Sequence, residues 1–193
     1  MTWFQRLTGT DEVSPAQVRE QLSVVDDCIV CPGGRRIAFG RLELPKLSEL
    51  RRSVADLQTE SRPSSLREVL GDVRALHADP ASAGALFQVA SQFNLLEMTG
   101  PSVTPERGVG IYENDPTQGP ACAIACGAGT IYRNYFVDVD GQTGQSVDKQ
   151  LDCSADLGQR LGNTSGRLWK MHNGYLFPSD EGLAEVTQTI RTA

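Results

Sequence analysis

The sequence predicts a single mixed α/β domain whose sheet is covered by helices. Its 193 residues are enough for one domain with a substantial core, because domains commonly hold about 100–200 residues. Segments with apolar residues at helical spacing are separated by short apolar runs that are typical of strands. From residue 85 onward the two patterns alternate. That order favours a mixed sheet, with ligands expected beyond the strand ends, where loops enter helices.

The N-terminal part, residues 1–80, is predicted to brace this sheet. Ser14 and Pro15 are typical of a helix start, and Pro32-Gly33-Gly34 indicates a turn. The predicted elements are a helix from Ser14 toward Val25, a strand at 37–42, and two core-facing helices at 47–57 and 66–76.

The C-terminal part, residues 85–193, is predicted to form the ligand-binding core. It opens with a strand at 85–94 that ends on polar residues. A loop of about 20 residues follows, and its aromatic and acidic content favours a functional loop over a disordered one. The remaining predicted elements are a helix at 120–136, a helix at 148–161, a strand at 168–177, and a helix at 180–190 capped by Ser179.

Composition restricts the possible partners and compartment. A formal charge of −6 works against binding of nucleic acid duplexes, because phosphate contacts need clustered Lys and Arg. Five cysteines, an odd number, favour reduced thiols over a disulfide framework. No apolar run approaches the roughly 18 residues of a membrane span, and the first ten residues lack a secretory signal. We therefore expect a soluble, cytoplasmic protein without a membrane partner.

Two short motifs resemble metal or redox sites but favour structural roles. Cys28-x-x-Cys31 has the spacing of a zinc half-site, yet no second cysteine pair accompanies it. Asp138-x-Asp140-Gly141 is similar to a calcium loop, but Lys149 occupies the position that should hold a bidentate Glu. We predict no metal site and no cofactor, and a magnesium ion shared by carboxylates and substrate stays open.

The stretch 92–118 concentrates the polar chemistry of the chain. Amides and carboxylates suit ribose hydroxyls, which both donate and accept hydrogen bonds, and the start of the following helix suits a diphosphate. A carboxylate beside ribose can activate water or stabilise an oxocarbenium-like centre. The alternative is that these groups only cap and solvate a long loop. They are Gln92, Asn94, Glu97, Thr104, Glu106, Tyr112, Glu113, Asn114, Asp115, Thr117 and Gln118.

Four segments of the chain resemble a divergent branch of the macrodomain superfamily, close to ADP-ribosyl hydrolases of the poly(ADP-ribose) glycohydrolase type. The resemblance extends over residues 85–177 and implies a macrodomain-like three-layer α/β/α fold with a mixed sheet and an N-terminal helical extension. It also implies that the chain binds ADP-ribose and hydrolyses it from modified protein side chains. The segments are FQVASQFN (87–94), LLEM (95–98), TPE (104–106) and YENDPTQGP (112–120).

The resemblance also implies site residues. In that superfamily a strand ends in an Asn that holds the distal ribose, which matches Asn94, and a loop entering a helix carries the acidic catalytic residue, which matches Asp115. Glu106 and Glu113 are alternatives for catalysis. The glycine triplet and Gln-Glu-Glu of the glycohydrolases are absent, and 115–118 stands in their place. The implied ligand-binding residues are Gln92 and Asn94 for ribose, Tyr112 as its cover, and Thr117, Gln118 and Gly119 for the diphosphate.

The end of the predicted strand at 168–177 offers a second ligand loop. Asn173, Gly174 and Tyr175 are expected to contact the diphosphate, with Tyr175 or Phe177 stacking on adenine. The alternative is that these aromatic residues pack in the core.

Two other functions fit the same sequence. Cys122 lies near a predicted helix start, where the dipole lowers a thiol pKa, and His172 lies on a late strand, as a papain-like cysteine hydrolase requires. Against that function, Cys122 and Cys126 are one helical turn apart, a spacing typical of small packing residues. A third possibility is a reader that binds ADP-ribose without hydrolysing it.

Overall fold

A computed structural model describes residues 1–55, 68–85, 91–115 and 117–192. Within these residues, eight α-helices accompany three small antiparallel sheets. The helices are α1 (Trp3–Thr8), α2 (Pro15–Gln21), α3 (Leu47–Ala55), α4 (Val73–Ala78), α5 (Gln118–Cys126), α6 (Ala128–Tyr135), α7 (Ala155–Arg160) and α8 (Asp180–Thr192). The strands are β1 (Ser23–Val25), β2 (Cys28–Val30), β3 (Arg36–Ala38), β4 (Asp138–Val139), β5 (Gln142–Thr143), β6 (Trp169–His172) and β7 (Tyr175–Pro178). The mixed α/β character is therefore confirmed.

The sheets are small and local. β1, β2 and β3 form an antiparallel meander in which Ile29 pairs with Val24 on one side and Ile37 on the other. β4 pairs with β5, and β6 pairs with β7, each as a two-stranded hairpin. In the parts of the chain that the structure describes, these strands do not join into one larger mixed sheet.

One hydrophobic core joins the N-terminal segment to the middle of the chain. Its buried members from the N-terminal segment are Trp3, Phe4, Val18, Leu22, Ile29 and Cys31. They pack with Leu96, Met98, Val109, Tyr112, Ala123, Ala128, Ile131 and Tyr135. Phe4, which is fully buried, meets Tyr135 edge to face with ring centroids 6.3 Å apart. Residues 3–31 are thus part of the same core as residues 96–135.

Helix starts are the best-predicted local features. Ser14 Oγ accepts a hydrogen bond from Gln17 N, and Pro15 occupies the first helical position of α2. Ser179 Oγ accepts from Gly182 N at 2.9 Å, which confirms the predicted cap of α8. Helix α3 also lies within the predicted range. None of the helices in the described ranges is long and apolar enough to cross a membrane.

The prediction of one continuous helix at 120–136 is wrong. Gly127 separates α5 from α6 at φ 57° and ψ −112°, a backbone conformation that residues with a Cβ rarely adopt. Its N–H donates to Ala123 O and Ile124 O, which ends α5. Pro120 does lie in the first turn of α5, where its missing N–H leaves no helical bond unmade.

The prediction of one strand at 168–177 is also wrong, because this segment is a hairpin. His172 pairs with Tyr175 across the turn, and the turn residues Asn173 and Gly174 have φ values of 46° and 76°. Two successive positive φ values characterise the type I′ turn, for which Asn-Gly is the preferred pair. Asn173 and Gly174 therefore lie in a tight turn instead of at a strand end.

Five further predicted elements are shorter in the structure or divided differently. The predicted helix from Ser14 toward Val25 ends at Gln21, and Ser23–Val25 form β1. The predicted helix at 148–161 is reduced to α7, because Asp152 Oδ1 accepts from Ser154 N and Oγ and holds residues 152–154 in a turn before the helix. The predicted strand at 37–42 ends at Ala38. In the predicted strand at 85–94, residues 86–90 lie outside the described residues, and 92–95 form a turn closed by Leu95 N and Gln92 O. Of the helix predicted at 66–76, only 73–76 lie in a described helix, α4.

Candidate functional site

A short loop, residues 91–98, carries the first acidic group of the candidate site. Gln92 closes this loop: its Nε2 donates to Met98 O at 2.6 Å, and its Oε1 accepts from Met98 N at 2.9 Å. The Tyr175 hydroxyl donates to the same Met98 O at 2.7 Å and accepts from Gln92 Nε2 at 3.0 Å. Gln92 and Tyr175 therefore fix the position of Glu97, the residue before Met98.

Glu97 is the carboxylate that the sequence analysis counted among the polar residues without giving it a role. Its half-buried side chain lies against the first turn of α5, where a Cβ on Gly119 would come within 3.0 Å of Glu97 Cδ. Burial raises the pKa of Glu97, although a hydrogen bond from Ser91 and the charge of Arg133 lower it. A carboxyl group whose pKa is raised toward neutrality is suited to proton transfer.

Asp115 precedes α5 and supplies a second carboxylate. Its Oδ1 accepts from Thr117 N at 2.8 Å and from Thr117 Oγ1 at 2.5 Å, which forms a local turn. Thr117 is the N-cap residue of α5, but its hydroxyl makes no cap hydrogen bond to the helix. Asp115 Oδ2 receives no hydrogen bond from the described residues. One oxygen of Asp115 is thus engaged and the other is open.

The charges of both acidic groups act on Tyr175. Burial raises the pKa of its phenol, and the charges of Glu97 and Asp115 raise it further. The raised pKa keeps the hydroxyl protonated, and its proton is donated to Met98 O. Phe177, two residues further along β7, is 46% exposed.

Tyr112 lies beneath this site and does not cover it. Its side chain is 0% exposed, and its hydroxyl accepts from Glu97 N at 3.0 Å. Burial is the main cause of the raised pKa of Tyr112. Tyr112 thus supports the backbone of Glu97 from the core. Of the predicted residues, Gly119 packs against Glu97, and Gln92 and Tyr175 hold the adjacent Met98. Asp115, Thr117 and Gln118 precede Gly119 at the start of α5.

Two predicted ligand residues, Asn94 and Asn173, form a closed network of side-chain amides with Gln150. Asn94, which is 0% exposed, donates from Nδ2 to Gln150 Oε1 at 2.8 Å and accepts at Oδ1 from Leu96 N at 3.0 Å. Gln150 Nε2 donates to Asn173 Oδ1, and Asn173 Nδ2 donates to Pro101 O. Gly174 packs directly on the Asn94 amide. In this conformation a ribose has no access to Asn94.

The two alternative catalytic residues have other partners. Glu113 holds the start of α1: its Oε2 accepts from Trp3 N at 2.9 Å, and its Oε1 pairs with Arg6 at 2.6 Å. The Arg6 hydrogen bond is the main cause of the lowered pKa of Glu113. Glu106 is exposed and accepts from Val147 N at 2.7 Å. Neither contact places these carboxylates beside Glu97.

The cysteine-hydrolase alternative receives little support from the geometry. Cys122 is 9% exposed, and burial raises the pKa of its thiol, whereas a nucleophilic cysteine needs a lowered pKa. Gln118 Nε2 donates to Cys122 Sγ at 3.6 Å. His172 is exposed on β6, and its one recorded hydrogen-bond contact is Asn173 Nδ2 at 3.5 Å.

The cysteine pair at 28 and 31 does not form a compact site. Cys28 is in β2 and Cys31 continues the strand with extended dihedral angles. Extended residues three positions apart are separated by about 10 Å, which is too far for a disulfide. Cys28, Cys31, Cys122, Cys126 and Cys153 are all outside disulfides. Among the described residues, no three His, Cys, Asp or Glu side chains gather as a metal ion would require.

A separate cavity of about 370 Å³ contains a carboxylate that the sequence analysis missed. Glu12 Oε1 accepts from Val109 N and from the Tyr135 hydroxyl, at 2.8 and 2.7 Å, and Oε2 accepts from Gly110 N at 2.6 Å. Burial is the main cause of its raised pKa. Both oxygens are engaged, so Glu12 ties the N-terminal segment to the loop before α5. The cavity is lined by Thr2, Gln5, Asp11, Glu12, Arg107, Gly110, Ile111 and Asn114.

Comparison with known proteins adds no family assignment. No protein-family model matches the chain, and no curated protein or solved structure matches it. The function is therefore argued from the geometry around Glu97.

Proposed function

We propose that this chain binds ADP-ribose and hydrolyses the bond that links it to a protein side chain. The position of Glu97 carries the proposal. Its half-buried carboxyl group has a raised pKa and packs against Gly119 in the first turn of α5. Asp115, four residues before Gly119, supplies a second carboxylate at the start of α5, and its charge and that of Glu97 both raise the pKa of the Tyr175 phenol.

The groups around Glu97 match the parts of an ADP-ribose ligand. The open oxygen of Asp115 and the carboxylate of Glu97 accept hydrogen bonds from ribose hydroxyls. The first turn of α5 has no side-chain cap. Its N–H groups and the helix dipole therefore favour a phosphate.

The proposed reaction is a hydrolysis that uses Glu97 and Asp115. The oxygen of a water molecule forms a bond to C1 of the distal ribose, while the bond from C1 to the protein side chain breaks. One carboxylate takes the proton of the water, and the leaving atom of the side chain takes a proton from the other carboxyl group. The raised pKa of Glu97 favours it as the proton donor.

The proposal includes a macrodomain-like three-layer arrangement and action on ADP-ribosylated proteins in the cytoplasm. A cytoplasmic site of action fits the five cysteines outside disulfides.

The deciding experiment combines calorimetric titration with a hydrolysis assay. We expect the wild-type chain to bind ADP-ribose with a Kd below about 100 μM, or roughly −5.5 kcal/mol, and more tightly than AMP. We expect it to release ADP-ribose from an ADP-ribosylated protein. Glu97→Gln should keep the shape of the site and reduce release by about 100-fold, in the range for loss of a general acid or base.

Glu20→Gln is the matched control, since Glu20 is exposed on α2 and should leave both measurements unchanged. Binding without release by the wild-type chain would identify a reader instead of a hydrolase. An absence of ADP-ribose binding would overturn the proposal.

A further inference from the structure

Arg133, on α6, is a partly buried cation without an acidic partner among the described residues. None of the ion pairs that the structure records includes it. Its Nη2 donates to Thr130 Oγ1 at 2.9 Å. Its Nε is buried and has no hydrogen-bond partner. A buried donor without a partner is uncommon in folded proteins, because its lost hydration is not replaced.

The structure holds Arg133 in a fixed position from two sides. Thr130, which is 1% exposed, receives the Arg133 hydrogen bond and donates its own proton to Ala123 O at 2.6 Å. Gln145, which is 3% exposed, donates from Nε2 to Arg133 O and to Asn94 O, both at 2.9 Å. These buried contacts link α6 to α5 and to the loop that carries Glu97. The arginine is therefore positioned before any ligand binds.

Arg133 and Glu97 influence each other without touching. Glu97 packs against Gly119, and the Thr130 hydroxyl that accepts from Arg133 donates to Ala123 O, so the two side chains approach α5 about one helical turn apart. The positive charge of Arg133 lowers the pKa of Glu97 and of Tyr112. No ion pair forms between Arg133 and Glu97. A guanidinium only donates hydrogen bonds, and an ionised carboxylate only accepts them. A ligand that bridges the two must present an anion to one and a hydroxyl to the other.

We propose that Arg133 and Glu97 form the two halves of a subsite for a phosphorylated sugar. The guanidinium binds the phosphate through charge-assisted hydrogen bonds, and the carboxylate accepts a bond from a sugar hydroxyl. This inference rests on the proposed function in taking the space around Glu97 as the ligand site. Within ADP-ribose, the matching fragment is the distal ribose with its attached phosphate.

The test is calorimetric titration with ribose 5-phosphate, with ribose as the comparison without phosphate. Arg133→Met removes the charge at similar length, and we expect the affinity for ribose 5-phosphate to fall roughly 10- to 100-fold, the range for loss of a charge-assisted contact. Affinity for ribose should be equal in the wild type and in Arg133→Met. Arg160→Met, an exposed arginine at the end of α7, removes the same charge elsewhere and should change neither affinity.

A thermal unfolding scan accompanies each variant. Arg133→Lys keeps the charge without the planar fork, so it provides the test if Arg133→Met does not fold, and its affinity should be weaker than that of the wild type. Equal affinity of the wild type and the folded Arg133 variants for ribose 5-phosphate would overturn the subsite, as would no binding by the wild type. Hydrolysis of ADP-ribosylated protein by the same wild-type preparation would still support the proposed function. Arg133-dependent binding of ribose 5-phosphate without hydrolysis would support the subsite alone.

Discussion

Two clusters of polar side chains lie close together in this protein, and their hydrogen bonding differs. In the amide cluster, Asn94, Gln150 and Asn173 exchange hydrogen bonds of 2.8 Å and are closed to solvent at Asn94 and Asn173. In the acidic cluster, Glu97 and Asp115 each keep carboxylate oxygens without a strong protein partner. Both clusters contain residues that the sequence predicts to share one ligand site. The hydrogen-bond partners of a polar residue, more than its type, distinguish a structural role from a ligand-binding one.

The difference has a thermodynamic meaning. Every amide hydrogen bond in the closed cluster would have to be broken before a ligand could bind there, and the freed groups would remain buried. In the acidic cluster, a ligand would not have to break such a network. Burial disfavours the charge on Glu97 and raises its pKa. A ligand that donates hydrogen bonds to Glu97 relieves that penalty, and the interaction adds to binding.

The largest expected effect comes from opening the amide cluster. Gln150→Leu leaves Asn94 Nδ2 and Asn173 Oδ1 buried without partners, and unpaired buried groups cost about 1–3 kcal/mol each. We expect the free energy of unfolding, measured by urea denaturation, to fall by about 2–4 kcal/mol. Gln159→Leu, on exposed α7, is the control and should change it little. A small effect of Gln150→Leu would mean that the amide cluster is not a stabilising scaffold.

The next largest effect is expected for Gly119, which packs against the Glu97 carboxylate of the acidic cluster. An alanine there would collide with the Glu97 carboxylate and displace it from the first turn of α5. We expect ADP-ribose affinity to fall by about tenfold, or roughly 1.4 kcal/mol, in a calorimetric titration. Gly100→Ala is the matched control, since its Cβ would meet open space. Unchanged binding in Gly119→Ala would separate Glu97 from the ligand site.

A smaller effect is expected for Tyr175, which helps to hold the loop that carries Glu97. Tyr175→Phe removes the hydroxyl that donates to Met98 O and accepts from Gln92. Because Gln92 still bonds to Met98, we expect stability to fall by only about 1 kcal/mol. ADP-ribose affinity should fall a few-fold because the loop that positions Glu97 loses one of the two side chains that hold Met98 O. Tyr132→Phe keeps the stacked ring on Phe39 and serves as the comparison in both measurements.

The smallest effect tests whether Glu113 belongs to the scaffold. Its pKa is lowered below the ordinary 4.5, chiefly by Arg6. A lowered folded-state pKa means that the carboxylate adds stability above pH 4.5, and that this addition is lost as pH falls through the lowered value. We expect Glu113→Gln to have a slightly lower Tm than the wild type at pH 7, a difference that shrinks toward pH 3. Hydrolysis should be unaffected, and its abolition would return Glu113 to the catalytic residues.

Local signals in the sequence predicted some elements and missed others for identifiable reasons. Ser14 and Ser179 predicted helix starts correctly, because a cap depends on residues within one turn. Asn173-Gly174 is an equally local hairpin signal, but the apolar run across it favours one strand. The small residues around Gly127 favour a continuous helix, although the dihedral angles of Gly127 end α5.

The candidate site was predicted as a region and only partly as a set of residues. Gly119 packs against Glu97, and Gln92 and Tyr175 hold the adjacent Met98, but they do so from a turn and a hairpin instead of from the predicted strand ends. Glu97 and Arg133 were not assigned roles, because neither has a spacing that marks its function. Their importance depends on burial and on neighbours at a distance along the chain, such as Gly119 and Thr130.

The mixed α/β composition, the helix caps Ser14 and Ser179 and the polar stretch near the candidate site follow from the sequence alone. These features depend on side-chain periodicity and on hydrogen bonds between neighbouring residues. Which polar groups are hydrogen-bonded and buried, and which keep free acceptor atoms, is set by packing in three dimensions. That outcome depends on contacts such as those of Glu12 with Val109 and of Asn94 with Gln150, which join residues 97 and 56 positions apart. Hydrogen bonding and desolvation at such distances are set by packing, so no local pattern reveals them.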